Sequence, residues 1–231
     1  MKKQIIQTVG VLSVFMALVV FGVHTAYAAA TPTFNQTING GTFAVDVVDA
    51  LITPVPSPAV AMTAGTFSYS CETVTGTLGT ADEQVYISNP NAKAGAWTVS
   101  IAPAAHTALW ENADASHTYD FNDPNATCGV DSATGTGGDG EEADTVGGKM
   151  TVTATGKTLS YGLDTSTTND HLTLGAGTFV EKTTDSVTLV SATDEADDIG
   201  DWTLQGVAIS QTVPAQQPAD TYHIHMVITF I

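Results

Sequence analysis

Apolar and polar side chains alternate with a period of two through much of the chain, and this pattern predicts strands rather than helices. Such β-type segments run through Thr42–Val48, Gln84–Ser88, Trp97–Ile101, Met150–Thr153, Ser186–Val190, Trp202–Ile209 and Tyr222–Ile231. They are rich in Thr, Val, Ile and Tyr, whose branched or aromatic side chains suit a half-buried pleated surface. No longer window carries a 3.6-residue period, although the acidic stretches Glu111–Asp114 and Asp194–Asp198 have room for a helical turn each. Many short strands without intervening helices predict an all-β fold, a single antiparallel β-sandwich. Pro54, Pro56 and Pro58 predict a stiff connector that sets a short N-terminal strand pair apart from the main body. The last strand is expected to tuck into its own sheet, because a frayed Ile/Phe end would expose apolar surface. The alternative is addition to the sheet of a neighbouring subunit.

Residues 1–28 depart from the pattern and have the layout of a secretory signal. Lys2 and Lys3 open it, Val9–Val23 is apolar, and Ala26-Tyr27-Ala28 supplies the small-x-small cleavage pattern. The apolar run is short for a bilayer crossing, so an exported domain over residues 29–231 is expected, with an uncleaved anchor as the alternative. After cleavage no segment is apolar enough to span a membrane.

Charge then narrows the partners. The 231 residues carry six Lys, no Arg and 24 acids, a formal charge of −18. Phosphate binding needs clustered cations, which makes nucleic acid an improbable partner. Cys71 and Cys128 are the two cysteines, an even number in an exported chain, and a mutual disulfide is expected. Two buried free thiols are the alternative.

The acidic residues suggest chemistry in one place. In Asp120-Phe121-Asn122-Asp123-Pro124-Asn125, oxygen-bearing side chains alternate with turn formers, and Asp139, Glu141, Glu142 and Asp144 follow beyond a glycine-rich run. Hard cations take six to eight oxygens from carboxylates, amides and carbonyls, so Asp120, Asn122, Asp123, Asn125, Asp139, Glu141, Glu142 and Asp144 are candidate Ca²⁺ ligands. The spacing is not that of an EF-hand. The alternative is a solvated acidic loop that maintains solubility. The run Asp194–Asp198, continuing to Asp201, is a weaker candidate of the same kind.

Catalysis finds little support. His223 and His225 share a strand face without an identifiable third metal ligand, and His106 and His117 flank Trp110-Glu111-Asn112 without a nucleophile motif. The chain contains no GxSxG, HExxH or Walker A pattern. With three Trp, six Tyr and eight Phe, it is poor in the aromatics that line sugar-cleaving clefts. A non-catalytic protein is expected. Trp97 and Trp202 begin alternating segments and are expected in the core. Trp110 lies outside any clean strand and is the candidate for an exposed contact.

Asn89–Ser100, in which a glycine-containing turn leads into Trp97-Thr98-Val99, resembles the inner motif of bacterial WxL-type surface proteins. Trp202-Thr203-Leu204 spells that motif, Gly76–Gly79 is similar to an upstream stretch, and Thr212–Ile231 is similar to the closing turn and last strand. The motif residues are thus Trp97, Val99, Trp202 and Leu204. Val99 stands where the family has Leu, Ile228 and Phe230 replace the expected Trp and Leu, and basic residues are sparse. The resemblance implies a WxL-like β-sandwich displayed at the bacterial surface and, in the family, associated with peptidoglycan. The expected role is structural or adhesive in the cell envelope. One alternative is a glycan-binding module in which Trp110 and Tyr119 stack on sugar beside a Ca²⁺-ordered loop. Another is a subunit that assembles with itself into a fibre or surface layer.

Overall fold

The computed structural model describes residues 34–37, 39–90, 95–123, 147–163, 169–181, 183–193 and 199–231. The chain divides into Met1–Thr37, of which only 34–37 are described and carry no strand, and Ile38–Ile231, which holds every described strand. The signal-like residues 1–28 lie outside the described residues.

Among the described residues all regular structure is β. The strands begin with β1 (Ala44–Val48), β2 (Glu72–Leu78), β3 (Gln84–Asn89), β4 (Trp97–Pro103) and β5 (Trp110–Asn112). There follow β6 (Thr118–Tyr119), β7 (Lys149–Thr153), β8 (Thr158–Tyr161), β9 (Leu172–Leu174) and β10 (Ala176–Thr178). The last are β11 (Val187–Ala192), β12 (Gly200–Gln205), β13 (Val207–Val213), β14 (Tyr222–His223) and β15 (Met226–Phe230). They form four antiparallel sheets ordered β1-β3-β12-β8, β10-β7-β13-β2, β15-β4-β11-β9 and β14-β5-β6. The sheets pack on one apolar core, giving the all-β sandwich that the alternation predicts.

Period-two burial produces that core. Val85 and Ile87 of β3, Val99 of β4, and Trp202 and Leu204 of β12 are all fully buried. Their in-between neighbours Tyr86 and Thr98 stay half-buried. Register aligns them across strands, with Trp202 opposite Ile87 and Leu204 opposite Val85. Each aliphatic side chain so buried contributes roughly 1.5–3 kcal/mol relative to exposure.

Four expectations need correction. The segment Trp202–Ile209 is not one strand. Gly206, with φ of 78°, takes the left-handed region that glycine enters without steric cost, and its N–H donates to the Gly79 carbonyl at 2.8 Å. The chain there leaves the first sheet for the second. Nor do the prolines set β1 apart: β1 pairs along its whole length with β3, and Val55 N–H returns to Val47 O at 2.9 Å. Glu111–Asp114 forms no helical turn, because Glu111 lies in β5 and residues 113–117 close a hairpin to β6. The C-terminal segment also divides, β14 pairing with β5 and β15 with β4, and Ile231 exchanges two hydrogen bonds with Thr98.

Candidate functional site

A cavity of about 990 Å³ lies among β1, β2, β13, β14, β15 and the segment 58–68 that runs over β2. Its apolar wall includes Val74 of β2, Ile101 of β4, Met150 of β7 and Ile209 of β13. Ile224, Met226 and Ile228 line it from the last strands and stay half-buried, because the alternation there faces the cavity rather than another sheet. A volume near 1,000 Å³ falls at the upper end of ordinary ligand pockets.

Trp110 and Tyr119 both line this cavity. They are cross-strand partners on β5 and β6, with ring centroids 5.8 Å apart and nearly parallel planes at 6°. Trp110 is only 8% exposed and Tyr119 4%, so Trp110, the candidate for an exposed contact, is a buried strand residue. Its indole N–H donates to Gln211 Oε1 at 3.0 Å. Gln211, fully buried, donates in turn from Nε2 to the carbonyls of Asp120 at 3.0 Å and Thr212 at 2.8 Å. This amide therefore fixes the Trp110 wall to the start of the acidic segment. Burial, with Tyr222 adding to it, raises the Tyr119 phenol far above its ordinary value.

Carboxylates fasten the rim. Glu72 accepts from Thr66 N–H at 3.0 Å and from its hydroxyl at 3.1 Å, and Glu83 accepts from Ala59 N–H at 3.2 Å, so both tie down segment 58–68. Asp220 accepts from Asn112 Nδ2 at 2.8 Å, which holds segment 217–221 against β5. That bond, followed by one from Thr221 N–H, lowers the Asp220 pKa. His223 and His225, also in the lining, have ring centroids 5.6 Å apart, and His223 Nε2 lies 3.5 Å from Glu111 Oε1. No Lys contributes to the lining among the described residues.

The acidic segment is reached by following β6 outward. Asp120, Asn122 and Asp123 are all buried, at 3%, 2% and 4% exposure. Phe121 between them packs its ring 5.2 Å from Phe179. Asn122 bridges to Lys149, its carbonyl accepts from Glu181 N–H at 2.8 Å, and Asp123 N–H donates to Gly148 O at 2.9 Å. Gly147 has no room for a side chain, since a Cβ there would collide with Asp123 Oδ2. Among the described residues, the buried side-chain oxygens Asp120 Oδ1, Asn122 Oδ1 and Glu181 Oε2 accept no hydrogen bond. Asp120 and Glu181 each take part in a further interaction. Among the described residues no three His, Cys, Asp or Glu side chains converge as a metal cage. Asn125, Asp139, Glu141, Glu142 and Asp144 lie outside the described residues, as does Asp194–Asp198.

Trp97, Val99, Trp202 and Leu204 are core residues with at most 3% exposure. Cys71, half-buried just before β2, is not a free thiol, and Cys128 lies outside the described residues. Sequence reasoning missed Gln211 and Glu181. Gln211 was detectable as a polar residue in phase with apolar Val207 and Ile209, whereas nothing local distinguishes Glu181 from a surface acid. Among the described residues no helix is long and apolar enough to cross a membrane. Comparison of the chain with protein-family models, with curated proteins and with solved structures finds no match.

Proposed function

We propose that this is an exported, non-catalytic bacterial cell-surface protein with a structural or adhesive role, and that its cavity receives a segment of the partner. The single observation that carries the reading is the 990 Å³ cavity, apolar along Val74, Ile101, Ile209 and Met226 and fastened at its edge by Glu72, Glu83 and Asp220. Such a lining suits an extended segment with apolar side chains inside and cationic ones at the rim. The signal-like N-terminus and the WxL-like tripeptides support placement at the envelope, where peptidoglycan-bearing surfaces supply partners.

The glycan-binding reading rests on Trp110 and Tyr119, which line the same cavity. Their low exposure leaves little ring face for a sugar, and the Trp110 N–H is already committed to Gln211. The adhesive reading is therefore preferred.

Sedimentation of the processed protein with purified bacterial envelopes tests it. Binding is expected, weakened by Met226→Trp, which fills the cavity, and by raised salt, which screens the acidic rim. Failure of the wild-type protein to sediment with envelopes overturns the reading. Retention on a glycan array that is lost in Trp110→Ala would favour the carbohydrate alternative.

A further inference from the structure

The last strand leaves one edge open beside the cavity. β15 ends its sheet and pairs with β4 alone among the described residues. Ile231 exchanges both of its backbone bonds with Thr98, and the His225 carbonyl accepts from Ala104 N–H. Antiparallel pairing alternates, so Val227 and Thr229 also face β4, while the N–H and C=O of Met226 and Ile228 turn away from it. Met226 and Ile228 line the cavity, and both are half-buried. Further along, Phe43 stacks on Phe230 at 3.9 Å, so the open part of the edge is the Met226–Ile228 end. By contrast β2, which also lines the cavity, has its outer edge covered. Thr63 N–H donates to the Thr75 carbonyl at 2.7 Å, and Thr75 N–H donates to the Thr63 hydroxyl at 2.9 Å. Charge is equally one-sided. Asp46, Glu72, Glu83 and Asp220 line the cavity, and their bonds come from the neutral donors Val47, Thr66, Ala59, Asn112 and Thr221. Besides His223 and His225 the lining holds no basic side chain among the described residues.

We propose that the partner's segment is held by strand addition to the Met226–Ile228 edge, with apolar side chains at alternate positions and Lys or Arg at its flanks. The inference rests on the adhesive reading and names how its partner is gripped. A strand added to this sheet places every second side chain on the face of Met226 and Ile228, which is the cavity face. Main-chain bonds to Met226 and Ile228 then supply affinity, and the cavity selects apolar side chains at every second position. The four carboxylates select the cationic flanks by charge complementarity. They also oppose a second copy of this chain, whose formal charge is −18, and so guard an open edge against self-pairing.

The probe is a soluble peptide of alternating Val and Thr with a pair of Lys at each end, titrated into the whole protein. Amide hydrogen exchange should show Met226 and Ile228 gaining protection, while Val227 and Thr229, already bonded to β4, change little. N-methylation of one alternate set of peptide amides should weaken binding about tenfold, and of the other set should not, because the added strand bonds β15 through one of its edges. That comparison leaves the protein untouched and so does not depend on a variant folding. Asp46→Asn should weaken the peptide about two- to fivefold, whereas the exposed Asp185→Asn, outside the lining, should leave it unchanged. Absence of peptide binding would overturn the proposal. So would equal tolerance of both methylated peptides, or equal binding of a Glu-flanked peptide. Concentration-dependent assembly of the protein that the peptide blocks would assign the edge to a second copy and overturn it as well. Sedimentation with envelopes reads the adhesive role separately, so failure of strand addition and failure of that role are distinguishable.

Discussion

The indole rings of Trp97 and Trp202 lie 5.5 Å apart, tilted by 41°, although the two residues stand on different sheets and are separated by more than a hundred positions. Phe230 of the last strand packs against Trp97 at the same distance and stacks on Phe43 at 3.9 Å. The tripeptides Trp97–Val99 and Trp202–Leu204 are therefore parts of one aromatic cluster that joins sheets β1-β3-β12-β8 and β15-β4-β11-β9. Trp202→Ala should lower unfolding free energy by about 3–5 kcal/mol, measured by denaturant titration, because a fully buried ring leaves a cavity that strands fixed on both sides cannot close. A loss under 1 kcal/mol would show that the sheets do not meet there.

Gln211→Leu should be costly for the opposite reason. Leucine fits the space but orphans the Trp110 N–H and removes a donor from the Asp120 carbonyl. At about 1–3 kcal/mol for each buried group left unsatisfied, destabilisation of about 2–4 kcal/mol is expected, with a shift in the Trp110 contribution to fluorescence. Gln211→Glu, which preserves the acceptor but not the donor, should not restore it.

Tyr119 sets an alkaline limit. Burial raises its folded-state pKa, so the protonated phenol favours the folded state. That contribution is complete below the ordinary tyrosine value near 10 and is lost as pH climbs beyond it, when the unfolded chain ionises first. Stability should fall above about pH 10, and Tyr119→Phe should reduce the slope there while leaving neutral behaviour nearly unchanged. Unfolding followed at several pH values reads both.

Asp220 governs the acid side of the rim. Its pKa is lowered by Asn112 and Thr221, so its contribution is present above the ordinary carboxylate range and lost as pH falls through the depressed value. Segment 217–221 should exchange amide hydrogens faster below that range, and Asp220→Asn should abolish the pH dependence of the exchange rate. Protection independent of pH in the wild type would show that Asn112 does not anchor the segment through the carboxylate.

The cysteines offer a direct chemical test. With Cys71 not free, alkylation of the unreduced protein should label neither thiol, and mass spectrometry should show Cys71 and Cys128 joined. Reduction should then cost roughly 4 kcal/mol, the chain-entropy value for a loop of this length. Two alkylated thiols before reduction would refute the pairing.

The sequence by itself determined the class of fold and much of its strand content. Alternation of Val85, Ile87, Val99, Trp202 and Leu204 with polar neighbours can bury one face only in a pleated sheet, which is why β3, β4 and β12 were legible. Even the break at Gly206 was written there, since the large apolar residues run 202, 204 and then 207, 209, a slip of one in the period. What tertiary structure alone decided is which strands neighbour one another and what each polar side chain meets. Short strands such as β9 and β10 have too few residues to show a period and are stabilised by partners far along the chain. Asp120 and Asn122 read locally as solvent-facing acid and amide. They are buried because β7 and the turn at Glu181 close over them, and the approach of segments distant in sequence leaves no trace in either segment alone.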